Sequence, residues 1–359
     1  MHPRAPPRIQ GEGRHRTKEL SMQTLTAETY FAGEPDRVLL DVRSPGEYAE
    51  GHAPGAVSLP LFSDAERAEV GTLYKQENPD AALLRGLEIA GGKMRQLVER
   101  ARVAAPEGRV AVQCWRGGQR SASVAWLLER AGMDVRQLEG GYKAYRAYVR
   151  RWLGEAHHPL RVLSGPTGSG KTHVLHALAA EGARIVDLEG LANHKGSSFG
   201  ALGEAAQPTT EAFENLLFEA LRGIPVGETV WVEDESRMIG TVCQPDVFYD
   251  RLVSAPVTEL VQPEEWRVNN LVRDYAGYPP DALAAAFTRL RKKLGGQRLQ
   301  DALAALEGGD FETAARIALV YYDKAYAHYA ARKPVGKHTR ITLSDPDPRA
   351  TARQILSHQ

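Results

Sequence analysis

The sequence predicts two successive α/β domains, the second carrying an added helical segment. Three observations support this. From Val38 onward, short apolar runs rich in strand formers alternate with stretches of helical spacing. The alternation is punctuated at Gly154 and Pro159 and then begins again. The chain has 359 residues, and at roughly 100–200 residues per domain that is enough for two.

Residues 1–23 precede the first periodic element. They carry Arg4, Arg8, Arg14, Arg16 and Lys18 among Pro3, Pro6 and Pro7, without the apolar stretch of a secretory signal. A disordered extension is expected, with a basic arm that touches RNA as the sharper alternative. Periodicity starts only after Met22, which makes Met22 a second candidate initiator. Residues 24–153 form the first domain with its linker helix. Strands are expected at 38–42, 57–59, 109–113 and 135–138, and helices at 81–90, 94–103 and 123–130, the last stopped by Gly132. A further helix fills 142–153. Residues 154–359 form the second domain. Its strands are expected at 160–163, 184–187, 229–232 and 258–261, with a helix at 172–180. The alanine- and leucine-rich stretch 281–331 reads as fully helical, and 340–343 as a last strand.

Lysine plus arginine number 45, as do aspartate plus glutamate, so the formal net charge is zero. With 43% hydrophobic and 25% charged residues, the chain is neither disordered nor a coat for nucleic acid acting through bulk charge. Two cysteines, Cys114 and Cys243, exclude a disulfide framework and a CxxC-type site, so no zinc is expected. Few thiols suit a reducing cytoplasm. No apolar run reaches the length of about 18 residues that a membrane span needs.

Cys114-Trp115-Arg116-Gly117-Gly118-Gln119-Arg120-Ser121 lies where a strand ends and a helix begins. Such a loop turns backbone N–H groups inward and adds the positive end of the helix dipole. Gly117 and Gly118 let it curl, and Arg116 and Arg120 add charge. Cys114 is therefore expected to favour its thiolate and act as a nucleophile beside an anion site. Cys-x5-Arg spacing suits phosphate ester hydrolysis through a phosphocysteine, or sulfur or selenium transfer. Cys243 has no comparable surroundings and reads as structural.

Gly165-Pro166-Thr167-Gly168-Ser169-Gly170-Lys171-Thr172 fits GxxxxGK[ST] in full, between an apolar strand and a helix. Gly165, Gly168, Ser169 and Gly170 would wrap a di- or triphosphate. Lys171 would neutralise its outer phosphate, and Thr172 could ligate Mg²⁺. Glu233-Asp234-Glu235, after the apolar run 229–232, supplies Asp234 or Glu233 as a further metal contact. No Asn-Lys-x-Asp guanine signature follows, so a regulatory GTPase is disfavoured.

Leu40-Asp41-Val42-Arg43-Ser44-Pro45-Gly46-Glu47-Tyr48, followed by Gly51-His52-Ala53-Pro54-Gly55-Ala56, resembles the opening signature of rhodanese domains. There the residues matching Asp41, Arg43, Glu47 and His52 chiefly pin loops. This rhodanese-like domain, joined to a P-loop NTPase-like domain, resembles the bacterial tRNA 2-selenouridine synthases from about Leu25 onward. Gly71-Thr72-Leu73-Tyr74-Lys75-Gln76, Asn193-His194-Lys195-Gly196-Ser197-Ser198-Phe199-Gly200, Gln207-Pro208-Thr209 and Glu233-Asp234-Glu235-Ser236-Arg237-Met238-Ile239-Gly240 are similar as well. Lys195 departs from the family's arginine, keeping the charge but losing bidentate geometry. The resemblance implies a transferase acting on wobble 2-thiouridine in the anticodon region of tRNA. Its sulfur is first geranylated from geranyl diphosphate, and the geranylthio group is then replaced by selenium from selenophosphate. Gly165–Thr172 would hold the diphosphate, with Mg²⁺ near Thr172 and Asp234. Cys114 would carry the selenium as a selanylcysteine, with Arg116 and Arg120 orienting the anion.

Three basic stretches could meet RNA. Tyr142–Trp152 interleaves aromatic and basic residues, which suits either base stacking or a domain-joining helix whose tyrosines pack into both halves. Arg289, Arg291, Lys292, Lys293 and Arg298 form a second cluster, and Lys333, Lys337, His338 and Arg340 a third. The alternative enzymes are a rhodanese-type RNA sulfurtransferase coupled to an ATP-using P-loop domain, and then a phosphatase–kinase fusion. A non-enzymatic binding module switched by nucleotide would have no need of Cys114.

Overall fold

The computed structural model describes residues 23–33, 36–155, 157–330 and 338–358. The extension expected over 1–23, with Met22, lies outside them apart from Gln23, as do Lys333 and Lys337. Five parallel strands build the first sheet: β1 (Thr24–Leu25), β2 (Val38–Asp41), β3 (Val57–Ser58), β4 (Arg109–Gln113) and β5 (Asp134–Leu138), in the order β1-β5-β4-β2-β3. Val110, Ala111 and Val112 of the central β4 are fully buried, as a parallel strand covered on both faces requires. Asp41 pairs with Gln113 in the register, so β2 and β4 end side by side, directly before Cys114.

Helices Asp64–Gln76, Pro79–Gly91 and Met94–Ala104 are inserted between β3 and β4. Asp64–Gln76 has no fully buried residue, and so offers little apolar periodicity for a sequence reading to find. Its start is set by a capping box between Ser63 and Glu66.

The second sheet holds β6 (Leu160–Ser164), β7 (Arg184–Val186) and β8 (Val230–Glu233). A short antiparallel hairpin follows, β9 (Met238–Ile239) and β10 (Val242–Cys243), and then β11 (Val257–Val261) and β12 (His338–Thr342) complete the sheet. Its order is β12-β11-β6-β8-β7, all parallel. The stretch expected to be fully helical is four helices: Pro280–Arg289, Arg291–Leu294, Gly296–Glu307 and Phe311–Ala330. Gly295 and Gly309, at φ 85 and 73, break the run because glycine adopts positive φ without steric penalty. These helices enclose a core of their own, including Leu283, Phe287, Leu299 and Leu306.

The two domains share one apolar core. Tyr142, Tyr145, Val149 and Leu153 of helix Gly141–Gly154 pack with Phe213, Leu217, Phe218 and Leu221 of helix Thr210–Arg222. Arg146 is buried and pairs with Glu214 and Asn215. Asn215 Nδ2 also donates to Tyr142 Oη at 2.9 Å and to the His52 carbonyl at 2.8 Å. This corrects the base-stacking reading of Tyr142–Trp152: its tyrosines fill the joint between domains, and burying their rings outweighs any role at the surface.

Two candidate active sites

Cys114 follows β4 and is 4% exposed. Its Sγ lies 3.2 Å from Ser121 Oγ, on the first turn of helix Gln119–Arg130. Gln137 Nε2, on β5, donates to Ser121 Oγ at 2.8 Å and to the Gly117 carbonyl at 2.7 Å. No side chain caps the helix at Gly118, which leaves its first N–H groups for a ligand. The N–H groups of Trp115 to Gly118 likewise meet no acceptor among the described residues. The loop is pressed against the next helix: Tyr142 N–H donates to the Cys114 carbonyl and Lys143 N–H to the Trp115 carbonyl, both at 2.9 Å. A Cβ at Gly141 would lie 2.2 Å from the Cys114 carbonyl oxygen, so only glycine fits there.

The two arginines of the loop differ. Arg116 is exposed and free to meet a ligand. Arg120 instead forks onto Glu47, with Nη1–Oε2 at 2.6 Å and Nη2–Oε1 at 3.2 Å. Burial alone would raise the Glu47 carboxyl, but Arg120 outweighs it and holds the group below the usual range. The expected anion-orienting role of Arg120 thus competes with a bond that pins the loop. Glu47 also closes the capping box of helix Pro45–Glu50 with Ser44. Asp41 and Arg43 are buried and joined by Arg43 Nη2–Asp41 Oδ2 at 2.7 Å, with a further bond from Arg43 Nη2 to the Gly51 carbonyl at 2.8 Å. The Arg43 guanidinium lies 3.7 Å from the Tyr142 ring centroid. His52 Nδ1 is 2.9 Å from the Tyr48 carbonyl. All four hold loops around the cysteine.

The second site starts at the end of β6. Its loop carbonyls are gripped from outside by helix Glu264–Tyr275: Arg267 Nε donates to Thr167 O and Asn270 Nδ2 to Gly168 O, both at 2.9 Å. Gly168, at φ +80, has Arg267 O only 2.8 Å from where a Cβ would stand. Gly170 begins helix Lys171–Ala180 without a side-chain cap, so the helix N-terminus is open to an anion. Lys171 Nζ donates to the Gly165 carbonyl at 3.2 Å. Ser169 Oγ is buried without a hydrogen-bond partner among the described residues.

Carboxylates surround Thr172. Its Oγ1 donates to Glu189 Oε2 at 2.7 Å, and Glu189 is in turn hydrogen-bonded to Glu235. Burial, followed by the charge of Glu189, pushes the Glu235 carboxyl well above its usual range. Asp234, expected near the metal, is held by Ser164 Oγ and by Tyr329 Oη, the latter at 3.0 Å. Asp234, Glu189 and Glu235 line the same cavity. Among the described residues no group of three or more His, Cys, Asp or Glu is placed to hold a metal by itself. Hard oxygen donors beside a phosphate site nonetheless fit Mg²⁺, which keeps waters and takes phosphate oxygens.

This cavity, of about 640 Å³, has two unlike ends. One is polar, formed by Gly165, Thr167, Gly168, Gly170, Lys171 and Thr172 of the loop, the carboxylates and Lys195. The other is apolar, walled by Leu283, Phe287, Leu306, Phe311 and the alanines Ala314, Ala315 and Ala318. Lys195 Nζ sits 3.2 Å from Glu204 and 5.6 Å from the ring centroids of both Tyr275 and Tyr278. Glu189, Glu235 and the tyrosines of helix Phe311–Ala330 were not singled out from sequence. No local motif marks Glu189. Glu235 closes the acidic triplet after β8, whose metal role the sequence assigns to Asp234 or Glu233, and Tyr322, Tyr326 and Tyr329 recur at helical spacing.

Fold and sites define a two-domain class: a parallel sheet with a Cys-x5-Arg loop after its central strand, fused to a P-loop domain. The rhodanese-like domain model matches residues 28–148, and the tRNA 2-selenouridine synthase AAA domain model matches residues 158–344. A tRNA 2-selenouridine synthase of Bdellovibrio bacteriovorus is 41% identical over 75% of this chain and 79% of its own. One of Nitrosomonas europaea is 33% identical over 89% of this chain and 95% of its own. The chain belongs to the tRNA 2-selenouridine synthase family.

Proposed function

We propose that this chain converts wobble 2-thiouridine of tRNA to 2-selenouridine in two steps, one in each site. The carrying observation is the cavity in which a P-loop and an apolar chamber are continuous. A prenyl diphosphate has that same division, a double anion joined to a hydrocarbon tail. Geranyl diphosphate would place its diphosphate on Lys171, Ser169 and the loop N–H groups, with its tail against Phe287, Leu306 and Ala318. The thiouridine sulfur then attacks the first carbon of the geranyl group. The C–O bond breaks, pyrophosphate leaves, and the N3 proton is lost. Lys171 stabilises charge that grows on the leaving oxygen. Mg²⁺ would be held by Thr172 with Glu189, Glu235 or Asp234, and would supply further charge neutralisation there.

The second step belongs to the Cys114 loop, whose free N–H groups and exposed Arg116 suit a small anion. Cys114 would be the nucleophile there: its sulfur attacks the phosphorus of selenophosphate and the P–Se bond breaks. The released selenide displaces geranylthiolate at C2, and water then hydrolyses the cysteinyl S–P bond to phosphate. The overall exchange is redox-neutral: water takes the phosphoryl group, selenium replaces sulfur at C2, and geranylthiol leaves. The direct test is calorimetric titration of the full chain with geranyl diphosphate, pyrophosphate and ATP, each with Mg²⁺. Geranyl diphosphate should bind most tightly. Tighter binding of ATP would favour the ATP-using sulfurtransferase instead.

A further inference from the structure

In a chain with equal numbers of acidic and basic residues, most exposed arginines of the second domain are matched. Arg184 pairs with Glu228, Arg237 with Asp246, and Arg316 with Glu264 and Glu265. His338 and Arg340, from the third basic stretch, both turn to Glu259. Arg291, Lys292, Lys293 and Arg298 break this pattern. All four are exposed, and among the described residues their side chains form no hydrogen bond or ion pair. Asp301, less than a turn beyond Arg298, takes a hydrogen bond from Gln297 Nε2 at 2.9 Å instead.

Like charges packed this closely repel one another, so folding does not ask for them. Their position is specific. Lys293 Nζ stands 5.0 Å from the centroid of Tyr321, a cavity-lining ring. Arg289, just before the cluster, donates to the Ser198 carbonyl at 2.7 Å, in the loop whose Ser197 and Phe199 line the cavity. The patch therefore borders the P-loop cavity from outside. A chain of regularly spaced negative charges is the ligand it complements.

We propose that Arg291, Lys292, Lys293 and Arg298 dock the phosphate backbone of the RNA substrate beside the P-loop cavity. The proposal rests on the reading above only in taking the substrate to be RNA. The test is fluorescence anisotropy of labelled, unmodified tRNA with the full chain, repeated across salt concentrations. The triple variant R291A/K292A/R298A should bind about tenfold more weakly at moderate salt. The slope of log affinity against log salt should become shallower by roughly 0.7–0.9 per lost phosphate contact. The charge-conserving variant R291K/R298K should keep the parent's affinity and slope. Geranyl diphosphate titrations of parent and triple variant run alongside. Equal binding there isolates the RNA effect, and no binding by either protein would count against the proposed function while leaving the RNA comparison intact. Unchanged tRNA affinity and slope in the triple variant would overturn the docking proposal.

Discussion

Glu233 shows what a single buried group does to this molecule. It ends β8 with no exposed surface. Its Oε2 accepts the Leu188 N–H at 2.9 Å, while Oε1 has no partner among the described residues. Burial, with Asp187 and Glu189 adding to it, pushes the carboxyl well above the usual range. The folded state thus holds a proton that the unfolded chain releases. The associated stability is present below the unfolded value and is lost as pH rises through the folded one. Glu233→Gln removes that dependence. Its melting temperature should gain on the parent's progressively from pH 5 to pH 8, as followed by circular dichroism; an offset that does not change with pH would contradict this. Local motifs made Cys114, Lys171 and Thr172 legible in the sequence, since each sits in a fixed short pattern. Glu189 and Glu235 come from the segments after β7 and β8, where no spacing ties them together. Nor could spacing reveal that Arg120 meets Glu47, which is 73 positions away.

Helix Phe311–Ala330 carries the chemistry of the cavity wall. Ala314, Ala315 and Ala318 face the apolar end, and Tyr322, Tyr326 and Tyr329 the polar one. The alanines read from sequence as helix formers, but in the fold their missing side chains are the space that a tail would occupy. Ala315→Phe, at a half-buried position, should weaken geranyl diphosphate binding about tenfold, or about 1.4 kcal/mol. Pyrophosphate binding should be unchanged, because it needs only the P-loop. Equal losses for both ligands in calorimetry would refute the division of the cavity. The alternation of strands and helices along the chain follows from periodicity, and β4 matches its expected bounds. The order of strands within each sheet does not, because it is set by long-range pairing. The short hairpin β9–β10 and the polar helix Asp64–Gln76 lack any such period.

The whole molecule is governed by the joint between its domains. The sequence left two roles open for Tyr142–Trp152, and packing decided between them: Phe213 and Phe218 come from 60 or more positions later, so no local window contains both partners. Phe218→Ala should cost about 3–5 kcal/mol. Because the ring belongs to a shared core, the loss should also uncouple the domains. The parent should unfold in one calorimetric transition and the variant in two; two separate transitions in the parent would argue against a shared cooperative core. The central claim is that one chain runs two separable steps, prenyl transfer at the P-loop and selenium transfer at Cys114. The measurement that tests it is mass-spectrometric nucleoside analysis of 2-thiouridine tRNA incubated with geranyl diphosphate, Mg²⁺ and selenophosphate. With Cys114→Ala, S-geranyl-2-thiouridine should accumulate and 2-selenouridine should be absent. With Lys171→Ala, 2-thiouridine should remain unmodified. Full selenation by the Cys114 variant, or normal geranylation by the Lys171 variant, would contradict the account.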